Sequence, residues 1–273
     1  MSRNYLIYPC RTMRITQSYK GRTSHLPHTT GIPKDYPVDE GCSTAGRDYC
    51  YCPCDEMKIK RIYGVGTKGT NTIWLQSTSK VCFADGSEDY FTMLITHPDD
   101  SEIKKLKAGQ TFRRKEKICL EGKDGASAYH FHFSGGKGKY KDNGWVKNSN
   151  GKWVLTTKNG TAKPEKLFFI DTEFTTVKDN KGLRFKELPS YPSGVYTVVT
   201  EELNVRKGPS ADYGKISFKS FTAEEKAQIQ KLKGTSYRKC CFVKGMTVSI
   251  TETEDNWGRC SSGWICLDYC EKK

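Results

Sequence analysis

Two histidines set one residue apart, His130 and His132 in the run Tyr129-His130-Phe131-His132-Phe133, carry the clearest chemical signal in this chain. On a β-strand, residues two apart share a face, so both imidazoles point one way while Phe131 and Phe133 point into the packing. Side by side on a rigid strand, one imidazole can bind a metal ion and the other can handle protons at a water on that ion. The competing reading is a pair of structural histidines on a half-exposed strand. Only five histidines occur in 273 residues, and all of them precede Phe133. That concentration favours a site.

The elements that must position these residues read as mainly β. Residues 57–133 contain successive strands, MKIKRIYGV, NTIWLQST, YFTMLIT and KICLEG, separated by the glycine-bearing turns GTKGTN and ADGSED. GWVKNSNGKWVL predicts a hairpin turning at Asn150-Gly151, and KPEKLFFID predicts a helical turn leading into a closing strand. After Asp171 the periodicity fades, and Pro189, Pro192 and Gly194 punctuate the chain. The expected organisation is therefore a first domain at 1–170, a linker at 171–193 and a second domain at 194–273. In the second domain, TAEEKAQIQKLK is rich in helix formers and opens with Thr222 three residues before Glu225, the pattern of a capping box. Short strands with tight turns surround it.

The chain is long enough for two domains, each with its own core. No apolar stretch approaches the ~20 residues that span a bilayer. The opening MSRNYLIYPC lacks the basic cluster, apolar run and cleavage site of a secretory signal, so synthesis in the cytoplasm is expected. Lys and Arg number 45 against 31 Asp and Glu, a net charge of +14, with most of the excess on the first 190 residues. Such a charge suits a polyanion. The basic residues are scattered, with no arginine-rich helix or RNA-binding signature, so an anionic cell wall fits as well as nucleic acid.

Twelve cysteines first suggest a disulfide scaffold. Cys50, Cys52 and Cys54 alternate through YCYCPC, and Cys240 and Cys241 are adjacent; neither arrangement has the paired spacing of a zinc ribbon. Free, mostly buried thiols are the favoured expectation. A second metal at Cys50, Cys52 and Cys54 ranks below it. A Cys/His nucleophile is another enzyme reading, but nothing in the sequence singles out its thiol.

Three further features join the His-x-His strand: His25 and His28 followed by Asp39 in a Val-Asp-Glu context, His97 ending the apolar run LITHPDD, and the order LKAGQTFRRKEKICLEGKDGASAYHFHF. With these, residues 14–170 resemble the lysostaphin-type zinc metallopeptidases, which cut peptide bonds in bacterial peptidoglycan. The resemblance implies an antiparallel-sheet peptidase domain holding Zn²⁺. It implies Asp39 and His132 as zinc ligands, with His25 as the first ligand and His28 as its alternative. The interval from His25 to Asp39 is longer than the family's usual few residues, as an insertion around LPHTTGIPKDY would make it. His130 and His97 match the family's two catalytic, non-ligand histidines. Tyr129 stands where the family has a small or polar residue, in a position to narrow the groove or contact substrate.

Residues 194–270 resemble a bacterial SH3-like domain, through ELNVRKGPSADYGKI and GMTVSITETEDNWGRCSSGWICLDY, with a helical insertion between. This implies a small β-barrel that binds the wall, with Trp257, Trp264, Tyr213 and Tyr269 as groove aromatics. Each of these is equally expected as core. Together the resemblances imply an endolysin-like peptidoglycan endopeptidase that acts on the wall after release, with anionic wall polymers as further partners. Two alternatives stand beside it. One is a wall-binding adaptor with a degenerate, inactive peptidase fold. The other, ranked last, is a nucleic-acid binder.

Overall fold

A computed structural model describes residues 3–20, 36–41, 47–64, 70–141, 144–147, 149–151, 153–156, 158, 160–254 and 256–273. The chain divides into two compact units, Asn4–Leu188 and a second made of Pro189–Lys273 with the N-terminal residues through Arg3. Both are built mainly from antiparallel β-structure. Among the described residues, no helix is long and apolar enough to cross a membrane.

The first unit is organised by an eight-stranded sheet. Its strands are β1 (Thr12–Ser18), β2 (Val38–Glu40), β3 (Glu56–Tyr63), β4 (Thr72–Ser77), β5 (Phe91–Thr96), β6 (Thr111–Arg113), β7 (Phe131–Lys137) and β8 (Thr176–Asp179). They lie in the order β8-β1-β2-β7-β5-β4-β3-β6, and only the β8–β1 pair is parallel. Central strands are covered on both faces, which is why every residue of β5 is buried. Alternation sorts their side chains. Ile73, Leu75, Met93, Ile95, Phe131 and Phe133 enter the main core with Tyr8 and Phe168. Trp74 and Leu94 face the other way, onto Leu155 and Trp145 of the hairpin formed by Gly144–Lys147 and Trp153–Thr156. Gly151 has a φ of +72° at the turn of that hairpin, a conformation glycine adopts without steric cost.

Residues 171–188 behave differently from the expected linker. Strand β8 pairs with β1, and Lys186–Glu187 pairs in parallel with Phe169–Ile170, so this stretch belongs to the first unit. Leu183 is buried in its core and Phe185 packs against Tyr8. The pairings are short and parallel, and that of β8 is made with a strand far off in the chain, so they leave no local alternation to read.

The second unit has its own core of Tyr196, Val205, Phe242, Met246, Ile265, Leu267 and their neighbours. It contains the strands β9 (Gly194–Val198), β10 (Glu202–Asn204), β11 (Cys241–Val243), β12 (Thr247–Ile250), β13 (Glu252–Glu254), β14 (Trp257–Cys260), β15 (Gly263–Cys266) and β16 (Cys270–Lys272). They form the small sheets β12-β9-β16, β10-β11 and β13-β14-β15. The helix Ala223–Lys233 opens with both bonds of the capping box: Glu225 N–H donates to Thr222 Oγ1 at 3.1 Å and Thr222 N–H to Glu225 Oε2 at 2.8 Å.

All cysteines among the described residues are free, and most are buried. Cys52 Sγ bonds the carbonyls of Cys54 and Phe112, at 3.3 and 3.2 Å, and Cys54 Sγ bonds that of Glu56 at 3.6 Å. These thiols act as small core residues with local partners.

Candidate metal centre

Strand register, rather than proximity in sequence, assembles the site. Strand β7 lies between β2 and β5, placing His132 directly opposite Asp39 on one side and Thr96 on the other. Thr96 in turn faces Thr72, and Asp39 faces Gln17 of β1. Directly opposed residues share a face, so one row of polar side chains crosses five strands. Trp145 Nε1 donates to Thr72 Oγ1 at 3.1 Å, which puts the hairpin beside this row. Phe131 and Phe133, alternating with His132, anchor β7 in the core beneath it.

Asp39 and His132 meet through Oδ1 and Nδ1, 3.1 Å apart. His130 brings Nε2 to 3.8 Å from the same Asp39 oxygen. His97 completes the group, its ring centroid 4.7 Å from that of His130 and 6.3 Å from that of His132. Three histidines and the aspartate of the expected site thus converge. His25 and His28 lie outside the described residues, and among those described no group of three or more donors is arranged to hold a metal.

Hydrogen bonds assign the ring nitrogens. His130 Nδ1 lies 2.9 Å from the Ala128 carbonyl and His97 Nδ1 lies 2.6 Å from the Asp124 carbonyl. A carbonyl only accepts, so each Nδ1 carries a proton, and in the neutral ring Nε2 keeps a lone pair. Burial is the main cause that drives the His97 imidazole down to about 4; the Asp124 carbonyl opposes the shift, and His130 and His132 add to it. His97 is therefore neutral at pH 7 and accepts a proton before it can donate one from Nε2.

The donor set fits zinc as far as it is described. Two ligands on bonds of ~2.0–2.1 Å in a tetrahedron stand about 3.3 Å apart, close to the Asp39–His132 separation. One carboxylate and one imidazole also match the hard-to-borderline chemistry of that ion.

Sequence reasoning missed the supports beneath this group. Glu40, one residue after Asp39, points into the core, where its carboxyl accepts from the Tyr8 hydroxyl and the Arg14 N–H. Burial raises its pKa well above the usual carboxylate range. Asn71 and Gly122 lie against the His97 backbone, and Asp124 holds the His97 ring through its carbonyl. At the rim, Tyr129 is 42% exposed, with Arg47 and Lys123 over its ring at 5.0 and 5.1 Å. Arg47 also pairs with Asp99.

In the second unit, Trp257 is only 4% exposed and Tyr269 48%. Both line a cavity of about 470 Å³ together with Arg3, Arg206, Asn256 and Asp268. Tyr213 is exposed and its ring covers Gly208, while Trp264 is half-buried; neither lines that cavity.

No family model matches the sequence, and no curated protein matches it either. Among solved structures, the chain is similar to a zinc-containing peptidase from Vibrio cholerae, at 17% identity and a TM-score of 0.33, over 59% of this chain and 39% of that one. It is similar to lysostaphin in solution, at 13% identity and a TM-score of 0.35, over 93% of this chain and 87% of that one. A further structure, the antimicrobial peptidase lysostaphin from Staphylococcus simulans, gives 14% identity and a TM-score of 0.30 over 96% and 84%. The chain thus spans about two-fifths of the Vibrio peptidase, 39% of its length.

Proposed function

We propose that the first unit is a zinc-dependent endopeptidase acting on peptide bonds of bacterial peptidoglycan, and that the second is an SH3-like module that holds it to the wall. One observation carries this reading: Asp39 and His132 on two adjacent strands, His130 just before the second of them and His97 in the turn after a third form a single cluster, with the Asp39 and His132 donors at metal-binding separation.

Asp39 and His132 would hold the ion, with His25 or His28 as the third protein ligand. Zinc, when bound, supplies Lewis acidity that makes water a nucleophile near neutral pH. His130, with Nδ1–H committed to the Ala128 carbonyl, keeps Nε2 free to take the proton of the attacking water. His97, neutral through burial and with its ring 4.7 Å from that of His130, would receive at Nε2 the proton that His130 takes from the water, and pass it to the leaving amine or hold it against the developing oxyanion. Tyr129 stands at the rim as a surface for the substrate peptide.

The aromatic-lined cavity of the second unit is the proposed wall contact, and the net charge of +14 suits an anionic wall. Tethering raises the local concentration of the peptidase at an insoluble polymer, so a module of modest affinity suffices. The implied setting is endolysin-like, with synthesis in the bacterial cytoplasm and action on the wall after release.

The test is mass spectrometry of muropeptides released from several purified wall chemotypes by zinc-loaded protein. New termini at one type of peptide bond are expected. Binding without release would favour the inactive adaptor, and heparin retention with a steep salt dependence and no lysis would favour the nucleic-acid reading.

A further inference from the structure

His97 has a φ of +67°, the left-handed region that a side chain with a Cβ rarely adopts. Such a conformation persists only where its surroundings hold it. Here the holding group is Asn71, the residue just before β4, which is 1% exposed. Its backbone carbonyl accepts the His97 N–H at 2.9 Å. Its side-chain Nδ2 donates to the Pro98 carbonyl at 3.0 Å and to Asp100 Oδ1 at 2.6 Å. Its own N–H donates to Asp124 Oδ2 at 2.6 Å, and Asp124 presents its backbone carbonyl to His97 Nδ1 at 2.6 Å. Asn71 thus grips the chain on both sides of the His97 α-carbon and, through Asp124, the imidazole as well.

We propose that Asn71 is a positioning residue for His97: its side chain, bonded to Pro98 and Asp100, holds the backbone turn that presents the imidazole Nδ1 to the Asp124 carbonyl and leaves Nε2 facing the site. Resting on the peptidase reading for its kinetic consequence, the inference adds a residue that touches neither the metal ligands nor the reacting atoms. Asparagine suits the task because one side chain must donate twice, to a carbonyl and to a carboxylate. Aspartate has the same shape but no donors, and would set a second carboxylate against Asp100.

The experiment compares wild type with Asn71→Ala and Asn71→Asp, measuring kcat, KM, zinc content and the ¹⁵N chemical shifts of the His97 ring. In both variants kcat should fall about 10–100-fold while KM stays within about twofold and the zinc content matches wild type. The His97 shifts should lose the Nδ1–H tautomer pattern. In a His97→Ala background, Asn71→Ala should reduce kcat no further, because Asn71 acts through that ring. Wild-type kcat in Asn71→Ala, or an independent multiplicative loss in the double variant, would overturn the inference. If Asn71→Ala fails to fold, Asn71→Asp, which keeps the size and shape of the side chain, carries the same expectations. If the zinc-loaded wild type cuts no wall peptide, the peptidase reading fails by itself; the His97 shifts then decide, and an unchanged tautomer in the variants overturns the positioning role.

Discussion

Asp39 and His132 face one another across adjacent antiparallel strands, with Oδ1 and Nδ1 3.1 Å apart. Ninety-three positions separate them in the chain, so sheet register alone brings them together. A slip of one residue in the β2–β7 pairing would turn His132 toward the core and bring a phenylalanine opposite the carboxylate. What prevents the slip is the burial of Phe131 and Phe133 and the tie from Glu40 to Tyr8 and Arg14 on the far face. Phe133→Ala should therefore cost about 3–5 kcal/mol of stability. Urea denaturation of the zinc-free protein measures this; a loss below about 1 kcal/mol would show that Phe133 does not anchor the strand.

Gly122 is pressed against the turn that carries His97. A Cβ there would lie 2.5 Å from the His97 carbonyl oxygen and 2.7 Å from the Asp99 nitrogen, both backbone atoms that cannot swing aside. Gly122→Ala is expected to destabilise the first unit by about 1–3 kcal/mol and to reduce kcat with the displaced imidazole. Denaturation and kinetics on one preparation check both, and an unchanged kcat would show that the turn can relax without moving His97.

The strands that bear the candidate residues are legible from periodicity, and the candidates themselves from the order of their motifs along the chain. His130 and His132 with Phe131 and Phe133 spell out a two-faced strand, and His97 closes an apolar run that reads as a buried strand. The residues that hold His97 were not legible. Gly122 acts by lacking a side chain, and Asn71 and Asp124 act through bonds to partners distant in the chain, so in the sequence all three read as ordinary turn residues. The same limit explains residues 171–188: β8 joins the sheet by a parallel pairing with β1, a partner more than 150 positions away that no local pattern announces. The alternation around Trp74 and Leu94 shows strands buried on both sides, but not that a hairpin covers the second face.

Asp85 supplies a pH test away from the site. Partial burial works against its ionised form, yet Lys137 at 2.6 Å and Ser87 at 2.7 and 3.1 Å hold its pKa down to about 2. A carboxyl depressed in the folded state stabilises above its unfolded pKa near 3.9, and that contribution is lost as pH falls through about 2. Lys137→Met should cost about 1 kcal/mol at pH 7, allowing for solvent screening of this partly exposed pair. The gap between variant and wild type should close as the acid limit is approached. A difference that is independent of pH would assign the loss to the ammonium group of Lys137 over the Phe83 ring, 4.9 Å from its centroid.

Helix capping offers a separate handle on the second unit. Thr222→Ala removes the oxygen that accepts the Glu225 N–H and should cost about 1 kcal/mol. Thermal unfolding of the full chain would register the loss, and restoration by Thr222→Ser would tie it to the cap. Zinc content of the first unit should not change.

The most direct measurement is zinc per chain in purified wild type, Asp39→Ala and His132→Ala, by elemental analysis after dialysis against metal-free buffer. About one zinc per chain in wild type and almost none in either variant, with folding retained by circular dichroism, is the expected result. A wild-type chain that binds no zinc when the metal is supplied, or variants that keep a full equivalent, would contradict the account.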